Sequence, residues 1–229
     1  HSPHQTGSHL PTDFLEEPDF QTTTTGGTAA AVNPGAPLTY AANFGAGTIF
    51  LDGTNGSSTW TSLATNPQVT AFTGTAVNTS GTSLSTTTTS PAALALANSS
   101  ANGFNIVFTF SMAGKTDLTV SYATQKSGTG FNSNQWAYST DGSSWTNFGS
   151  TIVPAASYAV VTLPTVTALD GDSSVFLRYT VSGASAAAGN NRLDNIQLNA
   201  VPEPSTWALI GLGSAFMMWN LRRKRRIEG

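Results

Sequence analysis

The chain has 229 residues, 39% of them apolar, which is enough for the core of one large β domain or of two small ones. It has no cysteine, which excludes disulfides, thiol catalysis and zinc–thiolate sites. Only 9% of the residues are charged, and residues 1–200 carry ten acidic against four basic side chains, which argues against a nucleic-acid partner.

The N-terminal segment, residues 1–37, shows no hydrophobic periodicity and is rich in Pro, Gly, Thr and Ala. This composition predicts a flexible arm. Within it, Leu10–Phe20 combines acidic and aromatic residues, which suits docking onto another surface. The chain begins at His1 without the apolar core of a signal peptide, so we expect a processed form of an exported protein.

From residue 38 onward, alternating apolar residues predict β-strands. The clearest alternation runs through Phe104–Met112, and the same period recurs at Leu118–Tyr122, Trp136–Tyr138 and Val175–Val181. Shorter candidates are Thr48–Leu51, Val69–Thr75, Ala92–Leu96, Trp145–Phe148, Ala159–Leu163 and Leu193–Leu198. Asp-Gly and Asn-Gly turn signals separate many of these runs. We therefore predict that residues 38–200 form one antiparallel, jelly-roll-like β-sandwich.

A sugar site needs an exposed aromatic ring beside amide or guanidinium groups. Phe131, between Gly130 and Asn132, is the ring that we expect to be exposed, whereas Trp136 also suits the core and Trp60 is an additional candidate. The predicted glycan-binding residues are Phe131, Asn132, Asn134, Gln135, Trp136, Trp145 and Arg192.

Calcium is the one cofactor that the sequence suggests, since loop carboxylates are its usual ligands. The candidate ligands are Asp170, Asp172 and Asp194. The alternative is that these residues form solvated turns and that Arg192 pairs with Asp194 at the surface.

No catalytic residue is predicted. All three histidines, His1, His4 and His9, lie in the N-terminal arm, so no Ser-His-Asp triad can form within the sandwich. Most aspartates stand beside glycine, where they commonly bond their own backbone. A hydrolase or lyase with paired carboxylates is kept as an alternative.

The C-terminal segment, residues 201–229, has three parts. Thr206–Leu221 is uncharged and would span roughly 24 Å as a helix, against about 30 Å for a bilayer core. We predict a single transmembrane helix at 206–221 with Trp207 and Trp219 at the interfaces. The basic cluster that follows is predicted to stay cytoplasmic, with residues 1–200 outside; it consists of Arg222, Arg223, Lys224, Arg225 and Arg226. The alternative is a buried core helix followed by a solvated charge run.

The order Val201-Pro202-Glu203-Pro204-Ser205, apolar helix and basic cluster resembles a PEP-CTERM sorting signal. The resemblance implies recognition at Pro202, Glu203 and Pro204 by an exosortase in the inner membrane, followed by transfer to the cell surface. Pro202 and Pro204 also hold this stretch extended. An uncleaved tail anchor is the alternative.

Thr129–Trp145 and Asn190–Leu198 resemble the jelly-roll ectodomain of PEP-CTERM proteins, which is similar in architecture to carbohydrate-binding modules. This second resemblance implies a fold more than an activity. Together the features predict an exported, non-catalytic protein of the cell envelope or biofilm matrix, which binds exopolysaccharide or self-associates. The alternatives are a structural subunit without a glycan ligand and the hydrolase or lyase.

Overall fold

A computed structural model of the chain describes residues 13–16, 39–41, 46–50, 60, 68–80, 82, 84, 86, 88 and 93–203. These residues form twelve β-strands and one short 3-10 helix, Ser99–Ala101. The strands are β1 (Asp13–Glu16), β2 (Thr39–Ala41), β3 (Gly47–Phe50), β4 (Val69–Phe72), β5 (Ala93–Ala97), β6 (Asn105–Phe110), β7 (Lys115–Lys126), β8 (Asn134–Ser139), β9 (Thr146–Ile152), β10 (Ala159–Thr162), β11 (Val175–Thr180) and β12 (Asn190–Pro202).

The strands form two six-stranded sheets, in which the paired strands are antiparallel. The first sheet has the order β10-β7-β12-β5-β4, and β1 also pairs with β12; the second has the order β2-β3-β6-β11-β8-β9. From β5 onward the chain crosses repeatedly between the sheets, giving the four-strand sets β5-β12-β7-β10 and β6-β11-β8-β9. This double Greek-key arrangement is a jelly roll, so the predicted fold class is confirmed.

The core lies between the sheets, where the alternating apolar positions meet. Val175, Leu177 and Tyr179 of β11 are fully buried, while the intervening residues are half-buried on the outer face. The inward residues of β6, Ile106 and Phe108, are fully buried too. The strand predictions for β3 to β12 are thus confirmed to within a few residues, because period-2 alternation records which side of a sheet is dry.

β12 contains a bulge whose backbone edge is hydrogen-bonded by side chains and a loop rather than by a neighbouring strand. β5 pairs with β12 at residues 190–193 and β1 pairs with it at residues 198–200, which leaves an intervening stretch without a strand neighbour on that edge. Asn195 lies there in a left-handed conformation (φ 48°). Its Nδ2 donates to the carbonyls of Thr75 (2.8 Å) and Val77 (2.9 Å), so the loop after β4 satisfies this edge of the bulge.

Two predicted boundaries differ from the structure. β1 lies inside segment 1–37, which was predicted to be a flexible arm, and it pairs with β12 at Leu198–Ala200. β12 also continues past residue 200: Val201 and Pro202 pair with Thr116 and Lys115 of β7. A four-residue strand such as β1 has too little periodicity to be recognised in a Thr- and Gly-rich segment. The predicted helix at 206–221 and the basic cluster at 222–226 lie outside the described residues.

Candidate functional site

Phe131 is the clearest wrong prediction, because its ring is fully buried rather than exposed. The cause is the glycine before it. A Cβ at Gly130 would lie 2.4 Å from the carbonyl oxygen of Asn190, so only glycine allows the loop to approach β12 this closely. Asn191 Nδ2 then donates to the Phe131 carbonyl at 2.9 Å. These contacts hold the loop against β12 and place the Phe131 ring in the core.

Trp136 and Trp60 are also core residues, with 1% and 4% of their surface exposed. The ring centroid of Trp136 lies 4.9 Å from that of Tyr179 and 5.4 Å from that of Phe108. Its Nε1 donates to the Tyr122 hydroxyl at 3.1 Å, and burial raises the pKa of Tyr122. Trp60 Nε1 donates to the carbonyl of Asn105 at 2.7 Å. Neither ring is available to a sugar.

The polar residues next to Phe131 serve mainly to hold the start of β8. Asn134 is fully buried, and its Nδ2 lies 3.3 Å from the carbonyl oxygens of both Phe131 and Ile152. Gln135 points to the outer face, but its Nε2 already donates to the Phe148 carbonyl at 3.1 Å. Asn132 is exposed. Of these three predicted ligands, Asn134 is therefore structural and Asn132 remains accessible.

Arg192 lies on the outer face of the first sheet, in a cluster that satisfies it. Its guanidinium carbon is 4.5 Å from the centre of the Phe72 ring. With the Gln125 amide oriented so that its oxygen faces the guanidinium, that oxygen accepts from Nη1 at 2.7 Å and from Nε at 3.2 Å. Asp194, two residues along the same strand, supplies a nearby carboxylate. We conclude that Arg192 is mainly structural.

Trp145 is the one predicted aromatic ring that lies half-buried on an outer face. It comes directly before β9 and packs against Arg178 of β11, whose guanidinium carbon lies 4.4 Å from the centre of the indole ring. Phe176 and Thr180 flank Arg178 on the same face of β11, and both are half-buried. We call this surface, defined by Trp145, Phe176, Arg178 and Thr180, the Trp145 face.

The floor of the Trp145 face is made of small or branched side chains. Val107 of β6 and Ala137 of β8 are the residues directly opposite Arg178, and each is only 1% exposed although both point outward. Side chains lying above them, Arg178 among them, therefore exclude water from this part of the sheet. Burial lowers the pKa of the Arg178 guanidinium.

Phe176 and Arg178 were missed as site residues. The signal was nevertheless present, because the alternation that assigns Val175, Leu177 and Tyr179 to the core assigns the residues between them to the outer face. A half-buried aromatic and a cation at successive outward positions of one strand mark a surface with recognition chemistry.

The three candidate calcium ligands do not share a site. Asp170 Oδ1 accepts from the backbone N–H of Asp117 at 2.9 Å, at the start of β7. Asp194 is fully buried and pairs with Ala123, about 20 Å further along β7. Its Oδ2 accepts from the N–H of Thr75 at 2.8 Å. In the part of the chain that the structure describes, no group of three or more acidic or histidine side chains is arranged to hold a metal ion.

The first two residues of the predicted sorting motif are part of the fold. Pro202 is the last residue of β12 and pairs with Lys115, and the N–H of Glu203 donates to the Gly114 carbonyl at 2.9 Å. Pro204 and the membrane-anchor residues Trp207, Trp219, Arg222, Arg223, Lys224, Arg225 and Arg226 lie outside the described residues. Within the described part of the chain, no helix is long and apolar enough to cross a membrane.

The C-terminal segment matches a family model. Residues 200–225 match the PEP-CTERM protein-sorting motif. The sequence resemblance is thereby confirmed, and the match implies an exported protein that an exosortase sorts through the membrane to the cell surface. No curated protein matches the chain.

Among solved structures, the chain is similar to the CBM22-1 xylan-binding domain from Paenibacillus barcinonensis Xyn10C, with 11% identity and a TM-score of 0.44, over 85% of this chain and 99% of that one. The K3 cleaved adhesin domain of Lys-gingipain from Porphyromonas gingivalis has 11% identity and a TM-score of 0.40, over 82% and 99%. The N-terminal cellulose-binding domain of Cellulomonas fimi β-1,4-glucanase C has 17% identity and a TM-score of 0.36, over 54% and 86%.

Proposed function

We propose that this chain is a non-catalytic, cell-surface protein that binds polysaccharide through the Trp145 face. The observation that carries the proposal is the half-buried indole of Trp145 beside Phe176 and Arg178, on the outer face of a rigid sheet. Sugar rings present C–H faces to aromatic rings and hydroxyl groups to polar side chains. Phe176 and Arg178 belong to β11, so the strand holds them at fixed spacing, which limits the entropy lost on binding.

A non-catalytic role is supported by how the carboxylates are used. Asp141 accepts from the N–H groups of Ser143 and Ser144, both at 2.7 Å, within the β8–β9 hairpin. Asp170 and Asp194 are bonded to backbone N–H groups in the same way. Paired acid catalysis needs two carboxyl groups free to face one substrate bond, and these three are occupied by local structure.

The test is calorimetric titration of the full-length chain in detergent against a panel of soluble polysaccharides, including exopolysaccharide from the producing cell. Trp145→Ala is expected to weaken binding about tenfold, a loss of about 1.4 kcal/mol. Tyr158→Phe, directly before β10 of the opposite sheet, is the control and should bind as the wild-type chain does. Equal affinity of Trp145→Ala and wild type, or no binding to any polymer, would refute the proposal.

A second candidate function, self-association, is favoured by β9. This seven-residue strand lies at the edge of the second sheet, is largely exposed, and contains neither the charges nor the proline that commonly protect an edge from pairing. Light scattering over a hundredfold concentration range should show oligomers if β9 pairs between chains. A Thr151→Lys variant should then stay monomeric.

A further inference from the structure

The two arginines of the described residues, Arg178 and Arg192, have similar positions in the fold but different hydrogen-bond partners. Each lies on the outer face of one sheet and stacks on an aromatic ring, Arg192 on Phe72 and Arg178 on Trp145. Arg192 has an amide acceptor in Gln125 and a carboxylate in Asp194 beside it. The two guanidinium groups therefore differ in their hydrogen-bond and charge partners.

Arg178 lacks such partners among the described residues. Its Nε is buried and has no hydrogen-bond acceptor. The described residues that the neighbouring strands place around it on this face are uncharged: Phe50, Asn105, Val107, Thr109, Gln135, Ala137 and Ser139. The carboxylate of Asp141, in the turn after β8, accepts hydrogen bonds from Ser139, Ser143 and Ser144. Among the described residues Arg178 thus has neither a carboxylate nor an amide partner, and a ligand carboxylate would supply one.

We propose that the Trp145 face selects acidic polysaccharide, with the carboxylate of a sugar acid held by Arg178. The ten acidic and four basic side chains of residues 1–200 repel a polyanion at long range, so the selection depends on this local contact within an uncharged part of the sheet. This inference rests on the proposed polysaccharide binding and names its ligand class. A carboxylate is planar and matches the donor geometry of a guanidinium, and the stack on Trp145 fixes the plane of that guanidinium. The sugar ring that bears the carboxylate would then lie over the adjacent aromatic surface of Phe176.

The experiment compares polygalacturonate with the same polymer after chemical reduction of its carboxyl groups, using the full-length chain in detergent. The wild-type chain is expected to bind the acidic polymer at least tenfold more tightly. Arg178→Gln should lose that preference. Lys126→Gln removes one positive charge from the first sheet and should retain the preference. Arg178→Lys keeps the positive charge but loses the planar donor geometry of the guanidinium. Its preference for the acidic polymer should lie between those of the wild type and Arg178→Gln.

The outcomes separate the two proposals. Equal wild-type affinity for the acidic and reduced polymers would overturn the acidic preference and leave polysaccharide binding intact. Binding to neither of these polymers, but to another neutral glycan of the panel, would do the same. Binding to no polysaccharide would overturn both. The wild-type comparison decides the point even if Arg178→Gln does not fold.

An independent observation concerns the sorting motif. The matched segment begins at residue 200, yet Val201 and Pro202 are paired with Thr116 and Lys115, and the Glu203 N–H donates to Gly114. The Asp170–Asp172 turn closes over the same end: Gly171 N–H donates to the Lys115 carbonyl at 3.0 Å, and a Cβ at Gly171 would lie 3.8 Å from Glu203 Oε1. The motif is attached to the domain with no linker between them.

We infer that the end of β12 must detach from β7 before the sorting enzyme can read the motif. An enzyme that binds an extended peptide needs access to its backbone, and here β7 occupies one edge of residues 201–203. Backbone hydrogen bonds to Gly114 and to the start of β7 hold this end, so local fraying would expose it in only a minor fraction of molecules. The folded domain would thus limit the rate at which its own tail is processed.

A disulfide staple tests this, since the chain has no cysteine of its own. Val201→Cys with Thr116→Cys joins two directly opposed residues at the motif, and Asn199→Cys with Thr119→Cys joins a pair in the same two strands further from it. Both full-length variants are expressed in the producing cell, and loss of the tail is followed by intact mass. The first staple should slow the loss at least fivefold, with recovery in reductant, whereas the second should not.

Three results would overturn this inference. The first is loss of the tail at the wild-type rate from the chain stapled at residue 201. The second is equal slowing by the staple at residue 199, which leaves residues 201–203 able to detach. The third is a wild-type chain that keeps its tail throughout.

Discussion

Replacing Trp136 by phenylalanine separates a core role for this residue from a role in binding. The indole is buried, and its Nε1 donates to the Tyr122 hydroxyl at 3.1 Å. Phenylalanine lacks three ring atoms of tryptophan, which at about 0.8 kcal/mol per buried methylene-sized group costs about 2 kcal/mol. The Tyr122 hydroxyl loses its donor in a dry site, which adds about 1 kcal/mol or more. We expect a loss of about 3 kcal/mol in the free energy of unfolding.

Urea unfolding followed by far-UV circular dichroism measures this loss. With a denaturant slope of about 2 kcal/mol per molar, the midpoint should fall by roughly 1.5 M. The matched control is Trp145→Phe on the outer face, which should move the midpoint by less than about 0.5 M. A Trp136→Phe variant that unfolds at the wild-type midpoint but no longer binds polysaccharide would refute the assignment of Trp136 to the core.

Three further predictions concern the polar parts of the fold. Asn195→Ala should lower the free energy of unfolding by about 2 to 4 kcal/mol in thermal unfolding. Alanine is more strained than asparagine in the left-handed conformation, and the carbonyls of Thr75 and Val77 lose their donor. Hydrogen bonds from Ser144 and Ser143 hold the pKa of Asp141 below its usual 3.8, so its contribution is present above about pH 4 and is lost as the pH falls below that. The difference in melting temperature between wild type and Asp141→Asn should accordingly shrink from pH 5 to pH 2. EDTA should leave the melting temperature unchanged, because the described residues bring no three acidic or histidine side chains together for a metal ion.

The fold could be predicted well because the signal for it is local. Alternation in Phe104–Met112 and Val175–Val181 identifies β6 and β11 and the side of each that enters the core. Strand order was beyond this reasoning, since pairing between β12 and β7 joins residues some 75 apart in sequence. The bulge at Asn195 was equally beyond it, because a loop from a distant part of the chain completes it.

The candidate site was predicted less well, and the failure has one physical source. Loop residues such as Phe131 were expected to be exposed because they stand between turn formers. Exposure depends instead on what the loop packs against, and Gly130 lets this loop lie on β12. The outward residues of a strand carry no such ambiguity once its inward residues are known. Arg178 and Phe176 were therefore more predictable than Phe131.

The overlap between the last strand and the sorting motif is chemically consistent. A strand end and a peptide substrate both need extended backbone, and proline supplies it. Proline also has no N–H to donate, which a sheet tolerates at the last residue of a strand but not in its centre. Pro202 occupies that last position, with Lys115 opposite. Pro202 can therefore be both the last residue of β12 and the first proline of the sorting motif, because the two roles need the same extended backbone. The consequence is that sorting becomes sensitive to the fold: substitutions that loosen the start of β7, such as Gly114→Pro, should speed loss of the tail without any change in the motif itself.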